Sequence, residues 1–255
     1  MKIAHLTTVD MSLRFLLFPQ LTSIVEVGGE AIGISGPGKW VDELEAAGVR
    51  HIALDSSTRG VDWAADLRAM RELWRVLRRE RPDILHTHNP KPGVYGRILG
   101  RLAGVPVVVN TVHGFYATPD DPLPKRLVVY LLEAVASRFS DVELFQNPED
   151  LGLARRVGLV PKSKSFLLGN GVDLRRFDPA RFSRSDRERT RPELGLGPDD
   201  FVVGIVGRLV AEKGYPELFE AARSWPDGVR LVVVGPDDPT KEDALPRSMI
   251  DEARH

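Results

Sequence analysis

The chain has 255 residues, of which 42% are apolar and 28% charged, and its net charge is −1. That balance suits a folded protein with a sizeable core and gives no electrostatic reason to expect nucleic acid as a partner. Cysteine is absent, which excludes disulfides, thiolate metal centres and cysteine nucleophiles.

The first ten residues lack an uninterrupted apolar stretch and read as a strand rather than a leader. The longest apolar runs, such as 127–132, fall far short of the ~18 residues of a spanning helix, so a cytoplasmic location is expected. In chain order, strands are predicted at 3–8, 30–35, 51–54, 84–88, 105–112, 142–146 and 165–168. Helical periodicity fills the gaps at 12–27, 39–47, 61–80, 93–103, 123–139 and 148–157. The runs at 105–112 and 165–168 are apolar on successive residues, as in strands covered on both faces. Regular β–α alternation implies right-handed crossovers and a parallel sheet, so residues 1–172 are expected to form one Rossmann-like, doubly wound α/β domain. Residues 173–199, with Asp178-Pro179 and a charged run at 184–191, read as an interdomain linker carrying one short solvated helix. The rhythm then restarts over 200–255, with strands at 201–206 and 230–234, a helix at 215–224 and a turn from Gly235 to Pro239. A sheet usually has ~4–6 strands, so this second domain is expected to be only the start of one.

Chemistry-bearing residues gather where strands end and helices begin, the ligand-binding edge of such sheets. Gly207-Arg208 and Lys213-Gly214 bracket the turn after the strand at 201–206. The glycines permit close backbone approach, and Pro216 suits the first turn of the following helix. Arg208 and Lys213 are either incidental charges of a solvated strand–helix turn or two cations brought to a helix start whose free N–H groups already favour an anion. The spacing is not that of a Walker loop. His113-Gly114, with Phe115 and Tyr116, closes the strand at 105–112 and would suit a sugar or base pocket. His86 and His88 share one side of their strand, yet no third ligand stands beside them in sequence, and no metal site is assigned. Lys91, at the next helix start, is a candidate for anion contact. Asp10 or Ser12 is expected to cap the first helix, with Arg14 available to an anionic acceptor. Glu72/Glu80 and Glu212/Glu220 have a Glu-x7-Glu spacing that chance alone supplies.

Together these residues resemble the retaining glycosyltransferases of family 4, whose GT-B fold pairs two Rossmann-like domains. Gly207-Arg208-x4-Lys213-Gly214 resembles the family's donor-diphosphate signature, and Gly169-Asn170-Gly171-Val172-Asp173-x3-Phe177 its interdomain segment. His113 matches the histidine the family places beside the donor sugar. The stretch 86–118 resembles a bacterial branch active in capsule, exopolysaccharide or lipid-linked oligosaccharide assembly. Two departures stand out: the loop after the first strand has no glycine, and the chain ends before the family's downstream Glu-x7-Glu motif.

The resemblance implies a nucleotide-diphosphate sugar as donor substrate, a saccharide or lipid-linked acceptor, and no resident cofactor or metal. His113, Arg208 and Lys213 would be catalytic; Gly207, Arg208, Lys213, Gly214 and His113 would bind the donor; Asp10, Ser12, Arg14 and Lys91 would face the acceptor. The helices at 61–80 and 123–139 are expected either simply to cover the sheet with their apolar stripes or, through Arg68, Arg71, Arg75, Arg78, Arg79 and Arg81 and through Lys125-Arg126 beside an apolar face, to make peripheral contact with an anionic membrane. Alternatives are a non-catalytic or split acceptor module awaiting a donor-domain partner, and a GT-B nucleotide-sugar epimerase. A nicotinamide-dependent dehydrogenase is disfavoured, because no Gly-x-Gly-x-x-Gly follows the first strand.

Overall fold

The structure is a computed structural model describing residues 1–58, 60, 62–88, 90–117, 121–238, 241 and 243–253. The chain divides into two compact units, Met1–Gly171 and Val172–His255.

The first unit is a seven-stranded parallel sheet. Its elements run β1 (Lys2–Val9), α1 (Asp10–Phe15), α2 (Phe18–Glu26), β2 (Glu30–Gly36), α3 (Val41–Ala46), β3 (Arg50–Ala53) and α4 (Trp63–Glu80). They continue as β4 (Ile84–His88), α5 (Pro90–Leu102), β5 (Val107–Val112), α6 (Leu123–Ala136), β6 (Val142–Phe145), α7 (Pro148–Arg156) and β7 (Ser165–Leu167). The strand order is β3-β2-β1-β4-β5-β6-β7, so the winding reverses between β1 and β4. Side chains alternate across the sheet. Ala4, Leu6, Leu85 and Val108 pack on one face with Leu73 and Leu77 of α4, while Leu13 of α1, Leu21 of α2 and Leu44 of α3 pack with Ala31 of β2 in a second cluster.

In several places tertiary geometry corrects the expected elements. The single helix expected over 12–27 is two, because Pro19 sits in the first turn of α2; in an unbroken helix its ring would clash with the carbonyl four residues back. The strand expected from 105 begins at Val107, since the Val105 amide instead closes the end of α5 on the Gly100 carbonyl at 3.0 Å. The expectation that 165–168 is covered on both faces fails. As the last strand in the sheet, β7 has one neighbour, and Phe166, Leu167 and Leu168 are 49%, 53% and 47% exposed. The expected start of α4 at Val61, the Thr118 end of the 86–118 stretch and the Pro239 end of the later turn lie outside the described residues. Asp62 caps α4 by accepting from the Ala64 and Ala65 amides.

The second unit holds α8 (Arg184–Glu193), β8 (Phe201–Val206), α9 (Tyr215–Ala222), β9 (Val229–Val234) and α10 (Arg247–Glu252). β8 and β9 form a two-stranded parallel sheet. α8 opens on a full capping box between Ser183 and Asp186.

Candidate functional site

Where the strand order reverses, a doubly wound sheet opens a crevice beyond its strand ends, and here histidines line the approach. His5 of β1 is in register with His86 of β4, and His88 with Thr111 of β5. Alternation puts all four on the face opposite Ala4, Leu85 and Val108. His113 follows just past the end of β5. The His88 ring bridges two others: its Nε2 is 3.1 Å from His5 Nδ1 and its Nδ1 is 3.0 Å from His113 Nε2. His86 Nε2 meets the Thr111 hydroxyl at 2.7 Å.

Burial holds the His5 imidazole down to about 4. It holds His86 and His88 well below the ordinary range, and neighbouring imidazoles push the same way. His113 is lowered by burial against an opposing hydrogen bond with Gln146. The cluster is therefore a set of neutral rings at neutral pH. His5, His86 and His88 each bring one ring nitrogen within 4.8 Å of the others, so the third imidazole missing beside His86 and His88 in sequence arrives from β1. Sequence reading passed over His5. The available signal is a histidine between Ala4 and Leu6 in β1, and it has no meaning until β1 and β4 are known to be neighbours.

The residues expected on the acceptor side are engaged within the unit. Neither Asp10 nor Ser12 caps α1; the capping position is Val9, with no side-chain bond. Buried Asp10 accepts instead from the amides of Met11 and Trp40, both at 2.8 Å, and so pins the segment before α3 to the start of α1. Half-buried Ser12 lies inside the helix. Arg14 Nε donates to Glu43 of α3 at 2.5 Å while its guanidinium covers the Phe18 ring. Lys91 pairs with Asp66 and donates to the carbonyls of Thr58 at 3.1 Å and Gly60 at 2.6 Å. Beside His113, Phe115 packs against Phe145 and Tyr130, while Tyr116 is 66% exposed with the Lys125 ammonium 5.3 Å from its ring centroid.

In the second unit, β8 leads through Gly207 and Arg208 to a short 3₁₀ turn, Ala211–Lys213, and then into α9. Gly214 links the two at φ +79°, a left-handed value that an L side chain resists, and Pro216 occupies the first turn of α9. The Tyr215 hydroxyl donates to the Gly207 carbonyl at 2.9 Å. Gly235, just past β9, approaches so closely that a Cβ there would lie 1.7 Å from the same oxygen. Half-exposed Arg208 is held by Asp238 at 2.8 Å and Glu212 at 3.2 Å. Lys213 is exposed, and its stem runs beside Gly207. This turn therefore places a guanidinium and an ammonium at a helix start, whose dipole favours an anion. Asp173 Oδ1 accepts from the amides of Arg175 and Arg176. The four glutamates of the Glu-x7-Glu pairs make local contacts: Glu72 with Ser56, Glu80 with Arg50, Glu212 with Arg208 and Glu220 with Arg223.

Residues 26–171 match the family model described as a glycosyl transferase 4-like domain. Two curated relatives extend the comparison. The UDP-Gal:alpha-D-GlcNAc-diphosphoundecaprenol alpha-1,3-galactosyltransferase of Escherichia coli is 35% identical over 72% of this chain and 49% of its own length. The N,N'-diacetylbacillosaminyl-diphospho-undecaprenol alpha-1,3-N-acetylgalactosaminyltransferase of Campylobacter jejuni is 21% identical over 93% of this chain and 64% of its own. The chain thus spans 49% and 64% of the length of these relatives. Among solved structures, Anabaena Alr3699/HepE in complex with UDP and glucose covers all of the chain with a TM-score of 0.75 at 18% identity, matched over 65% of its own length. At that identity the likeness speaks to the fold.

Proposed function

Because the chain belongs to the glycosyl transferase 4-like family, we propose that it serves the transfer of a sugar from a nucleotide-diphosphate donor to a lipid-linked saccharide acceptor, with retention at the anomeric carbon. The observation that carries this reading is the turn between β8 and α9, where Arg208 and Lys213 stand at the start of α9. As the acceptor hydroxyl attacks, negative charge grows on the departing diphosphate. Cations fixed at that point stabilise the transition state more than the ground state. In this role Arg208 exchanges its present carboxylate partners for phosphate oxygens, Gly207 and Gly214 let the backbone come close, and no metal or other cofactor is called for. His113 contacts the donor sugar. Ser12 remains available to the acceptor, while Asp10, Arg14 and Lys91 hold the loops around it in shape. The activities of the named relatives favour transfer over epimerisation.

The reading extends to a peripheral place on the inner face of the cell membrane. Among the described residues no helix is long and apolar enough to cross one. Yet α6 turns Leu123, Leu127, Val128, Leu131, Leu132 and Val135 outward, each 46–64% exposed. α4 carries the exposed Arg68, Arg71, Arg75, Arg78 and Arg79, and α5 touches both helices. Apolar side chains flanked by cations are what an anionic lipid surface attracts.

Calorimetric titration with uridine and guanosine diphosphates tests the donor site. Charge-assisted bonds contribute about 1.5–3 kcal/mol, so Arg208→Ala is expected to weaken binding at least ~10-fold. Equal affinity in parent and variant removes the assignment.

A further inference from the structure

The histidine cluster does more than line a face of the sheet. A neutral imidazole has one N–H and one lone pair, and His88 directs both of its nitrogens at other imidazoles: Nε2 at His5 Nδ1, 3.1 Å away, and Nδ1 at His113 Nε2, 3.0 Å away. His5 and His88 are only 3% and 1% exposed, so water does not take the place of a missing partner. Each contact needs one hydrogen and one lone pair. Two N–H groups or two lone pairs face to face would leave buried polar atoms unsatisfied, which is costly where the dielectric is low.

Only two arrangements satisfy both contacts. If His88 carries its hydrogen on Nε2, it donates to His5 and accepts from His113, and all three rings are protonated on Nε2. If it carries the hydrogen on Nδ1, all three are protonated on Nδ1. His86 stands outside this chain: its Nε2 meets the Thr111 hydroxyl, which serves as donor or acceptor, and its ring packs 4.9 Å from His5 and 4.2 Å from His88.

We propose that His88 and His5 are positioning residues that hold His113 in a single tautomer, the one that matches their own. The inference rests on the reading above that His113 meets the donor sugar. The other nitrogen of His113 hydrogen-bonds Gln146 in this structure, and a sugar hydroxyl that takes the place of Gln146 there finds a donor or an acceptor of one fixed sense. That sense is set in part by His5, through His88.

Long-range proton–nitrogen correlation spectra of the histidine-labelled 255-residue chain distinguish protonated from bare ring nitrogens. The expected result at neutral pH is one tautomer each for His5, His88 and His113, with the hydrogen on the same-named nitrogen in all three. Different nitrogens among the three rings, or a mixture at His113, overturns the proposal. In His88→Leu, His113 is expected to relax to a mixture, whereas His88→Asn, which keeps a polar group in place of Nδ1, is expected to restore a single form. An unchanged single tautomer in His88→Leu also overturns it, as does one equivalent of zinc in the purified chain, because a metal would take the lone pairs. Should His88→Leu fail to fold, the parent spectrum still decides. These spectra need neither nucleotide nor sugar, so failure of the diphosphate titration leaves their outcome independent.

Discussion

Arg97 is fully buried on α5, where its Nη1 donates to Glu143 at 2.8 Å, its Nη2 to Glu133 at 2.6 Å and its Nε to the Gly93 carbonyl at 2.7 Å. Glu143, itself fully buried, also accepts from Asn110 and Ser140. Removing one member of such a network strands the charge of the others. Arg97→Met is therefore expected to cost roughly 3–5 kcal/mol in urea unfolding. Pairing it with Glu143→Gln should recover part of that loss, and strict additivity of the two changes would refute the coupling. His5 makes a different prediction. Its folded pKa of about 4 lies below the 6.5 of the unfolded chain. Above pH 6.5 neither state binds the proton, and the residue has no effect on the pH dependence. Between 6.5 and about 4 the unfolded chain takes up a proton that the folded one refuses, so stability falls as pH falls, by up to ~1.4 kcal/mol per pH unit for a single group. Urea titrations from pH 7 to 4.5 should show this slope reduced in His5→Gln; a slope no smaller than the parent's would contradict the assignment.

At the scale of elements, the two ends of α6 share one backbone but its sides differ in purpose. Glu133, Tyr130 and Ala134 turn inward, to Arg97 and to the cluster around Phe145. The residues at 123, 127, 128, 131, 132 and 135 form the outward stripe, a spacing of three and four that keeps them on one side of the helix. The apolar stripe is thus not the one that covers the sheet, which amphipathic periodicity would assume. Leu131→Glu is expected to reduce sedimentation with phosphatidylglycerol vesicles several-fold while leaving the unfolding midpoint nearly unchanged, because the side chain is 64% exposed. Undiminished vesicle binding would argue that this stripe meets something other than lipid. The same outward-or-inward question separates β5 from β7. Both contain adjacent apolar residues, yet β5 lies between β4 and β6 while β7 ends the sheet.

At the scale of the whole molecule, β–α alternation was enough to read a parallel α/β architecture, because short β-branched runs and 3.6-residue periodicity are local properties. The glycines and cations of the β8–α9 turn were legible for the same reason: their meaning depends on neighbours a few residues away. Helix breaks were legible only in part, since Pro19 marks a boundary but the start of β5 at Val107 depends on how the Val105 amide closes α5. What the chain order could not disclose was which strands become neighbours. His5 and His88 are 83 residues apart, and Arg97 and Glu143 are 46 apart; they meet because the sheet reverses between β1 and β4 and continues through β5 to β6. Sequence alone therefore determined the kind of layers this protein builds and the glycines and cations gathered at the β8–α9 turn. Tertiary structure decided the histidine chain, the buried ion network and the side of α6 that faces outward, because each depends on contacts between segments that lie far apart along the chain.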